Sequence, residues 1–269
     1  MEKKYKLTDK TINLNGATLY RIEALKDFGE IKKGDKGGFV KSENNLAHDG
    51  DAWVSDDACV YNNARVYGNA RVSGNARVYG NALVYGSTYV CGNAIVSGNA
   101  RVCGNVRVYD QACVHSNAWL DNNACVYGNA HVSGDSCVYG NAHVYGDAFV
   151  SDNASVCGNA SVYDNVNVYD QACVHGDARV YGDALVRGYA SVCGDAEISN
   201  KSDYIVFQNW WSSGRYFTWT RSNNMWSVGC FYGTGEELIK KAYKDSELSG
   251  REYERIVKYV EEIRKDNGK

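Results

Sequence analysis

Apolar and polar residues follow a single period of six through residues 52–198. Every sixth residue from Val54 to Ile198 is aliphatic, and 23 of these 25 positions are Val, with Leu120 and Ile198 the exceptions. Four residues after each comes a small side chain, nearly always Ala, as in Ala64-Arg65-Val66-Tyr67-Gly68-Asn69 followed by Ala70. Six fits neither a 3.6-residue helical stripe nor the simple alternation of a long strand. Within a hexad, Arg65-Val66-Tyr67 alternates out, in, out like a short strand. Gly68-Asn69 accepts positive φ and predicts a corner. Ala70 then turns inward, where only a small side chain fits. Short strands and corners at a fixed period predict a parallel β-helix, whose units bury their apolar sides only by stacking.

The flanks carry other patterns. Residues 10–24 read as a hairpin, with an Asn15-Gly16 turn between alternating apolar runs. Gly34-Asp35-Lys36-Gly37-Gly38-Phe39-Val40 lacks the Gly-Lys-Ser/Thr ending and the following helix of a phosphate loop, so it reads as a turn entering irregular first coils around Leu46. Beyond Ile198 the period stops. Tyr204–Phe207, Tyr216–Thr220 and Trp226–Phe231 read as three strands, followed by two helices with capping boxes at Thr234/Glu237 and Ser249/Glu252. Tyr253, Ile256, Val257, Val260 and Ile263 form one apolar stripe on the second helix. The chain therefore divides into an N-terminal cap (1–45) that covers an otherwise open strand edge, a solenoid (46–199) and a small α+β unit (200–269).

Val66 and Ala70 occupy the two defining positions of the bacterial transferase hexapeptide repeat (aliphatic, x, x, x, small, x), and the match persists through every hexad from Val54 to Ile198. The chain resembles that superfamily. Asp27-Phe28 to Asn45-Leu46 is similar to the N-terminal part of YdcK-type members, and Gly229–Glu237 resembles a module of prophage-encoded proteins. The resemblance implies an all-β, left-handed parallel β-helix of triangular section, with three hexads (18 residues) per coil and about eight coils. It also implies a homo-oligomer, commonly a trimer, and for many members an acyltransferase with an acyl-CoA donor and a His general base.

Charge and cysteine usage narrow the function. Residues 1–45 carry 10 basic and 7 acidic side chains, 46–199 carry 7 and 15, and 200–269 carry 12 and 10, for a net charge of −3. A mildly acidic rod between near-neutral ends argues against a nucleic-acid partner. The start has no signal-peptide apolar run and no segment is long enough to span a membrane, so the expected location is cytoplasmic. Nine of the ten cysteines sit at outward solenoid positions and Cys230 in the tail. Their hexad spacing reads as free thiols in a reducing compartment, not a disulfide framework.

Stacking at 18 residues assembles three constellations. One face carries Tyr109, Tyr127, Tyr145, Tyr163 and Tyr181 in a column, flanked by Arg107, Cys125, His143, Ser161 and Arg179. A second carries Cys157, His175 and Cys193 in a column, with Cys173 beside His175. The third has Cys113, His115 and His131 as neighbours. Cys157, Cys173, His175 and Cys193 are a zinc-like ligand set, but Cys157 and Cys193 lie two coils apart, about 9.6 Å, too far to share one tetrahedral ion. The His spacings do not reproduce a γ-class carbonic anhydrase. His143 is the candidate general base, though no inserted loop builds a pocket around it. The five arginines of the early coils are spread over three faces, which disfavours a phosphate site. The expected function is thus a non-catalytic scaffold or interaction module without a cofactor. Its binding face would comprise Arg107, Tyr109, Tyr127, His143, Tyr145, Tyr163, Arg179 and Tyr181, used for self-association or a protein partner. An acyltransferase using acyl-CoA is the alternative.

Overall fold

The computed structural model describes residues 2–211 and 213–267. Each hexad contributes a two-residue strand, such as Arg65–Val66, and strands pair residues 18 apart, as Arg65 with Leu83. Three parallel sheets result. The hairpin face contains Cys59, Arg77, Ile95, Cys113, His131, Phe149, Asn167 and Leu185 at its outward strand positions. The tyrosine face runs from Trp53 to Glu197, and the thiol face from Arg65 to Ser191. The Val column and the corner Ala residues are buried throughout, with Val126, Val144, Ala130 and Ala148 fully enclosed.

The N-terminal segment is more regular than its sequence suggests. Strands β1 (Tyr5–Leu14) and β2 (Ala17–Ala24) form the expected hairpin around Asn15-Gly16. The glycine-rich run opens on the expected turn, with Gly34 at φ 95° and the Asp35 N–H donating to Lys32 O, but from Lys36 it is a strand, β3 (Lys36–Val40), which pairs antiparallel with β2 and parallel with Cys59–Val60. A Cβ on Gly37 would lie 2.5 Å from the Val54 carbonyl oxygen, and one on Gly38 2.5 Å from that of Ala58. Glycine is needed there so that β3 can lie against the first coil. Val40 and Leu46 thereby join the inward column, since Leu46 bridges to Val66. That brings the stack to about nine coils instead of eight: the repeat begins before its sequence period becomes regular.

Asparagine at the corners does more than turn the chain. Asn63, Asn81, Asn99 and Asn117 each donate an amide N–H to the next Oδ1 at 2.8–3.0 Å, and the series ends on the Asp135 carboxylate. A second ladder runs Asn105, Asn123, Asn141, Asn159, Asp177. Where Asp replaces Gly at the positive-φ position, as in Asp110 (φ 59°) and Asp164 (φ 62°), its carboxylate accepts the N–H of Gly128 or Gly182 on the next coil.

The C-terminal sheet has four antiparallel strands, Tyr204–Gln208, Tyr216–Thr220, Met225–Val228 and Phe231–Gly233. Gly229 (φ 57°) breaks what the sequence reads as one strand into two. Helix α1 (Gly235–Asp245) keeps its Thr234/Glu237 capping box. Helix α2 (Glu247–Asn267) starts earlier than the Ser249/Glu252 pair suggests, because Ser246 Oγ accepts the Ser249 N–H. Tyr253, Val257 and Val260 pack on Phe217, Trp219, Trp226 and Val228 as expected of the stripe.

Both ends of the solenoid are closed by side chains. At the last coil the N–H groups that would bond a further rung have none, and on each face one of them meets a hydroxyl of the C-terminal unit: Arg187 N–H donates to Tyr204 OH (3.4 Å), Ser191 N–H to Thr218 Oγ1 (2.8 Å), and Glu197 N–H to Ser222 Oγ (2.7 Å). There is one acceptor for each face. At the first coil the spare groups are carbonyls, and donors answer them. The buried Lys4 ammonium donates to Gly50 O (3.1 Å) and Ala52 O (2.8 Å), and Tyr5 OH donates to Leu46 O (2.8 Å). Buried backbone groups without partners are costly, so the caps let the stack end without inviting another strand.

Candidate functional site

The tyrosine column forms as the 18-residue spacing requires. Tyr109, Tyr127, Tyr145 and Tyr163 stack with ring centroids 4.8–4.9 Å apart and planes within 4°, and Tyr181 continues at 5.5 Å and 12°. The spacing equals that of the rungs, so the backbone sets it and the rings add offset contact. All five rings are half-buried. Burial pushes the phenols of Tyr109, Tyr127, Tyr145 and Tyr163 up, keeping them neutral across the physiological range. Among the described residues the other tyrosine stacks stop at two rings, Tyr61–Tyr79, Tyr67–Tyr85 and Tyr189–Tyr216. The first of these is also covered by the hairpin side chains around Leu19 and Phe39.

Beside the ladder, Arg107, Cys125, His143, Ser161 and Arg179 occupy successive rungs. His143 meets Tyr127 edge-on at 6.4 Å. Arg107 and Arg179 are each two rungs from His143, so neither touches it. Arg179 pairs with Glu197 on the last rung (3.6 Å), a partner the column reading left out. The face is flat: nothing in its register brings a third functional group to His143.

The cysteine and histidine groupings separate on inspection. His131 lies opposite Cys113 but stacks on Phe149 at 4.8 Å, while His115 Nδ1 is 3.0 Å from Ser116 Oγ. Burial and the neighbouring His131 hold His115 below its ordinary value. On the thiol face His175 Nε2 lies 3.2 Å from Ser191 Oγ, and burial lowers its pKa as well. Among the described residues no three His, Cys, Asp or Glu side chains come together in a way that could hold a metal ion. All ten cysteines are free thiols. The outward frame does not keep them all exposed: Cys59 lies under the hairpin, and Trp119 Nε1 donates to buried Cys103 (3.4 Å). Cys193 is buried beside the C-terminal sheet, where Asp195 accepts from Asn223 (2.9 Å). No helix is long and apolar enough to cross a membrane among the described residues.

Two features escaped the sequence reading. Tyr139 stands one rung before Cys157 in the same column, a juxtaposition that the 18-residue spacing contains but that a search for metal ligands passes over. Lys4 and Tyr5 carry no pattern at all, since the carbonyls they meet lie more than 40 residues away.

The YdcK β-solenoid repeat model matches residues 64–78, 76–92 and 100–116. No curated protein sequence matches the chain. Among solved structures, the UDP-N-acetylglucosamine acyltransferase of Francisella novicida matches at 15% identity and a TM-score of 0.32, over 55% of this chain and 62% of that one. The chain thus spans less than two thirds of that enzyme, and no activity follows from a likeness of this degree. The repeats at residues 64–92 and 100–116 are thus similar to the YdcK type of β-solenoid repeat, and the same 18-residue stack continues on either side of them.

Proposed function

We propose that the protein is a non-catalytic β-solenoid scaffold that binds through its tyrosine face, first of all to a second copy of itself. The observation that carries this reading is the five-ring ladder, half-exposed and in register over five coils. Tyrosine supplies contact area at small entropic cost, and its hydroxyl tolerates water when the partner is absent. Both ends of the stack are closed, so association through strand edges is blocked and the flat sides remain. A ladder at rung spacing also meets an identical ladder laid against it in register, edge to edge. Ten free thiols favour a reducing compartment such as the cytoplasm.

The test is the solution mass of the triple variant Tyr127→Ser, Tyr145→Ser, Tyr163→Ser by light scattering. The expected result is an oligomer for the native chain and a monomer for the variant. An unchanged mass, together with unchanged capture of partner proteins, would leave the ladder as sheet packing only. A titration with acetyl-CoA belongs beside it. Binding that disappears in His143→Ala would replace this reading with the acyltransferase one.

A further inference from the structure

The caps close the ends of the solenoid, but the C-terminal sheet has an edge of its own. Its first strand, Tyr204–Gln208, pairs on one side only, with Tyr216–Thr220, in an unbroken register without a bulge. At either end of that pairing Arg221 N–H donates to Asp203 O (2.7 Å) and Asn209 N–H to Arg215 O (2.9 Å). Hydrogen-bonded pairs alternate along an antiparallel ladder. Ile205 and Phe207 therefore turn their backbone groups into the sheet, and Tyr204, Val206 and Gln208 turn theirs outward. None of these outward N–H and C=O groups has a partner among the described residues.

Edges are ordinarily blunted by charge, proline, a bulge or shortness. The outer strand of the N-terminal hairpin follows that rule, with a register shift between Leu7 and Thr11 and exposed Asp9 and Lys10. At the far edge of the C-terminal sheet the strand Phe231–Gly233 is only three residues long. Tyr204-Ile205-Val206-Phe207-Gln208 carries none of these devices.

We propose that this edge takes up an extended, acidic segment of a partner protein as a further strand of the C-terminal sheet. Side chains of an added strand alternate between the two faces of the sheet, and a groove lies ready on each. On the solenoid side, one of about 530 Å³ is walled by Leu185, Tyr189, Val206 and Tyr216. On the helix side, one of about 730 Å³ runs along Ile205, Trp219 and Ile263 and carries Lys201, Arg221 and Arg264. Neither lining includes a carboxylate. Arg264 donates to Asn224 Oδ1 (2.7 Å) and lies over the Trp219 ring. The Asp203 carboxylate is turned away to accept the N–H groups of Ser199 and Asn200. A matching strand thus alternates apolar residues toward the solenoid with Asp or Glu toward the helices. A second copy of Tyr204–Gln208 would bring no carboxylate to these cations, so the charge favours an acidic partner over self-pairing. The edge shares no residue with the tyrosine face, and the two readings stand or fall separately.

The experiment titrates the full chain into a fluorescein-labelled heptapeptide of alternating Glu and Val, read by fluorescence polarisation. The expected result is saturable binding that weakens with added salt and is absent when Lys replaces Glu in the peptide. N-methylating the alternate set of peptide amides that faces the edge should abolish binding, while N-methylating the other set should leave it. Val206→Pro removes an N–H that the fold does not use, as an edge strand tolerates, and should abolish binding with the near-ultraviolet spectrum unchanged. Lys201→Ala and Arg221→Ala should each weaken binding about two- to fivefold, as for an exposed ion pair. No binding of the heptapeptide, equal loss from both N-methylated sets, or full binding by Val206→Pro would overturn the proposal. So would a fall in solution mass on Val206→Pro, which would assign the edge to a second copy of the chain.

Discussion

At the scale of single residues the solenoid repeats one environment so often that its departures stand out. The corner position is Ala almost everywhere, yet Ser136 occupies it fully buried, and its Oγ has no hydrogen-bond partner among the described residues. An unsatisfied buried hydroxyl carries its desolvation cost with no return. Ser136→Ala should therefore stabilise the protein by about 1 kcal/mol, measured by urea unfolding. The hydroxyl of Thr88, at an equivalent corner, donates to Tyr85 O (2.6 Å), so the corresponding change there should not stabilise. The opposite error is overfilling. Ala130 is fully buried at its corner, and Ala130→Leu should cost about 1–3 kcal/mol by forcing neighbouring coils apart. An unchanged melting temperature would place position 130 outside the core.

At the scale of elements, a two-residue strand is stable only as a rung, and the end rungs are where stability can be lost first. The C-terminal sheet meets the last coil with one hydroxyl acceptor per face. Thr218 is buried, so Thr218→Val should leave the Ser191 N–H without an acceptor and cost about 1–3 kcal/mol. Hydrogen exchange should show it as faster exchange at Ser191, while amides of the central coils keep their protection. Equal loss of protection in central and terminal coils would mean that the stack unfolds as one unit instead of fraying from its end.

At the scale of the whole molecule, ionisation and folding are linked through the thiols. Burial raises the pKa of Cys59, Cys91, Cys103, Cys113, Cys125, Cys137 and Cys193 above the unfolded value of 9.0. A group raised on folding contributes stability that is complete below its unfolded pKa and is lost as pH climbs through the folded one. Two groups act in the reverse sense. Burial lowers Lys4 from 10.5 to about 8, which makes stability rise between those values, and Cys157 adds stability between about 6 and 9. Above pH 9 Lys4 opposes these seven thiols and Cys173, which is raised as well, and above 10 the raised tyrosines join them. The urea midpoint should fall from pH 9 to pH 10.5. Lys4→Met should make that fall steeper by removing the one opposing group. A midpoint that rises over this range would show that the thiols are solvated in the fold.

The repeat itself was legible in the sequence because each hexad repeats the same local choice. Val inward, a residue tolerant of positive φ at the corner and Ala behind it recur until only stacking satisfies them all, and the 18-residue columns then follow by counting. The tyrosine ladder was readable for the same reason, since its spacing is the backbone's own. What tertiary structure decided lies where the period fails. Gly37-Gly38 resembles a turn locally, but a strand forms because the first coil stands close enough to exclude any Cβ. Lys4 and Tyr5 look like surface residues until the chain brings the carbonyls of Leu46, Gly50 and Ala52 to them. Trp226 to Phe231 reads as one apolar run, yet Gly229 folds it into two strands that pack under α1 and α2. Column membership comes from sequence spacing. Which thiol is buried depends on how side chains lean across rungs and on what the two caps cover.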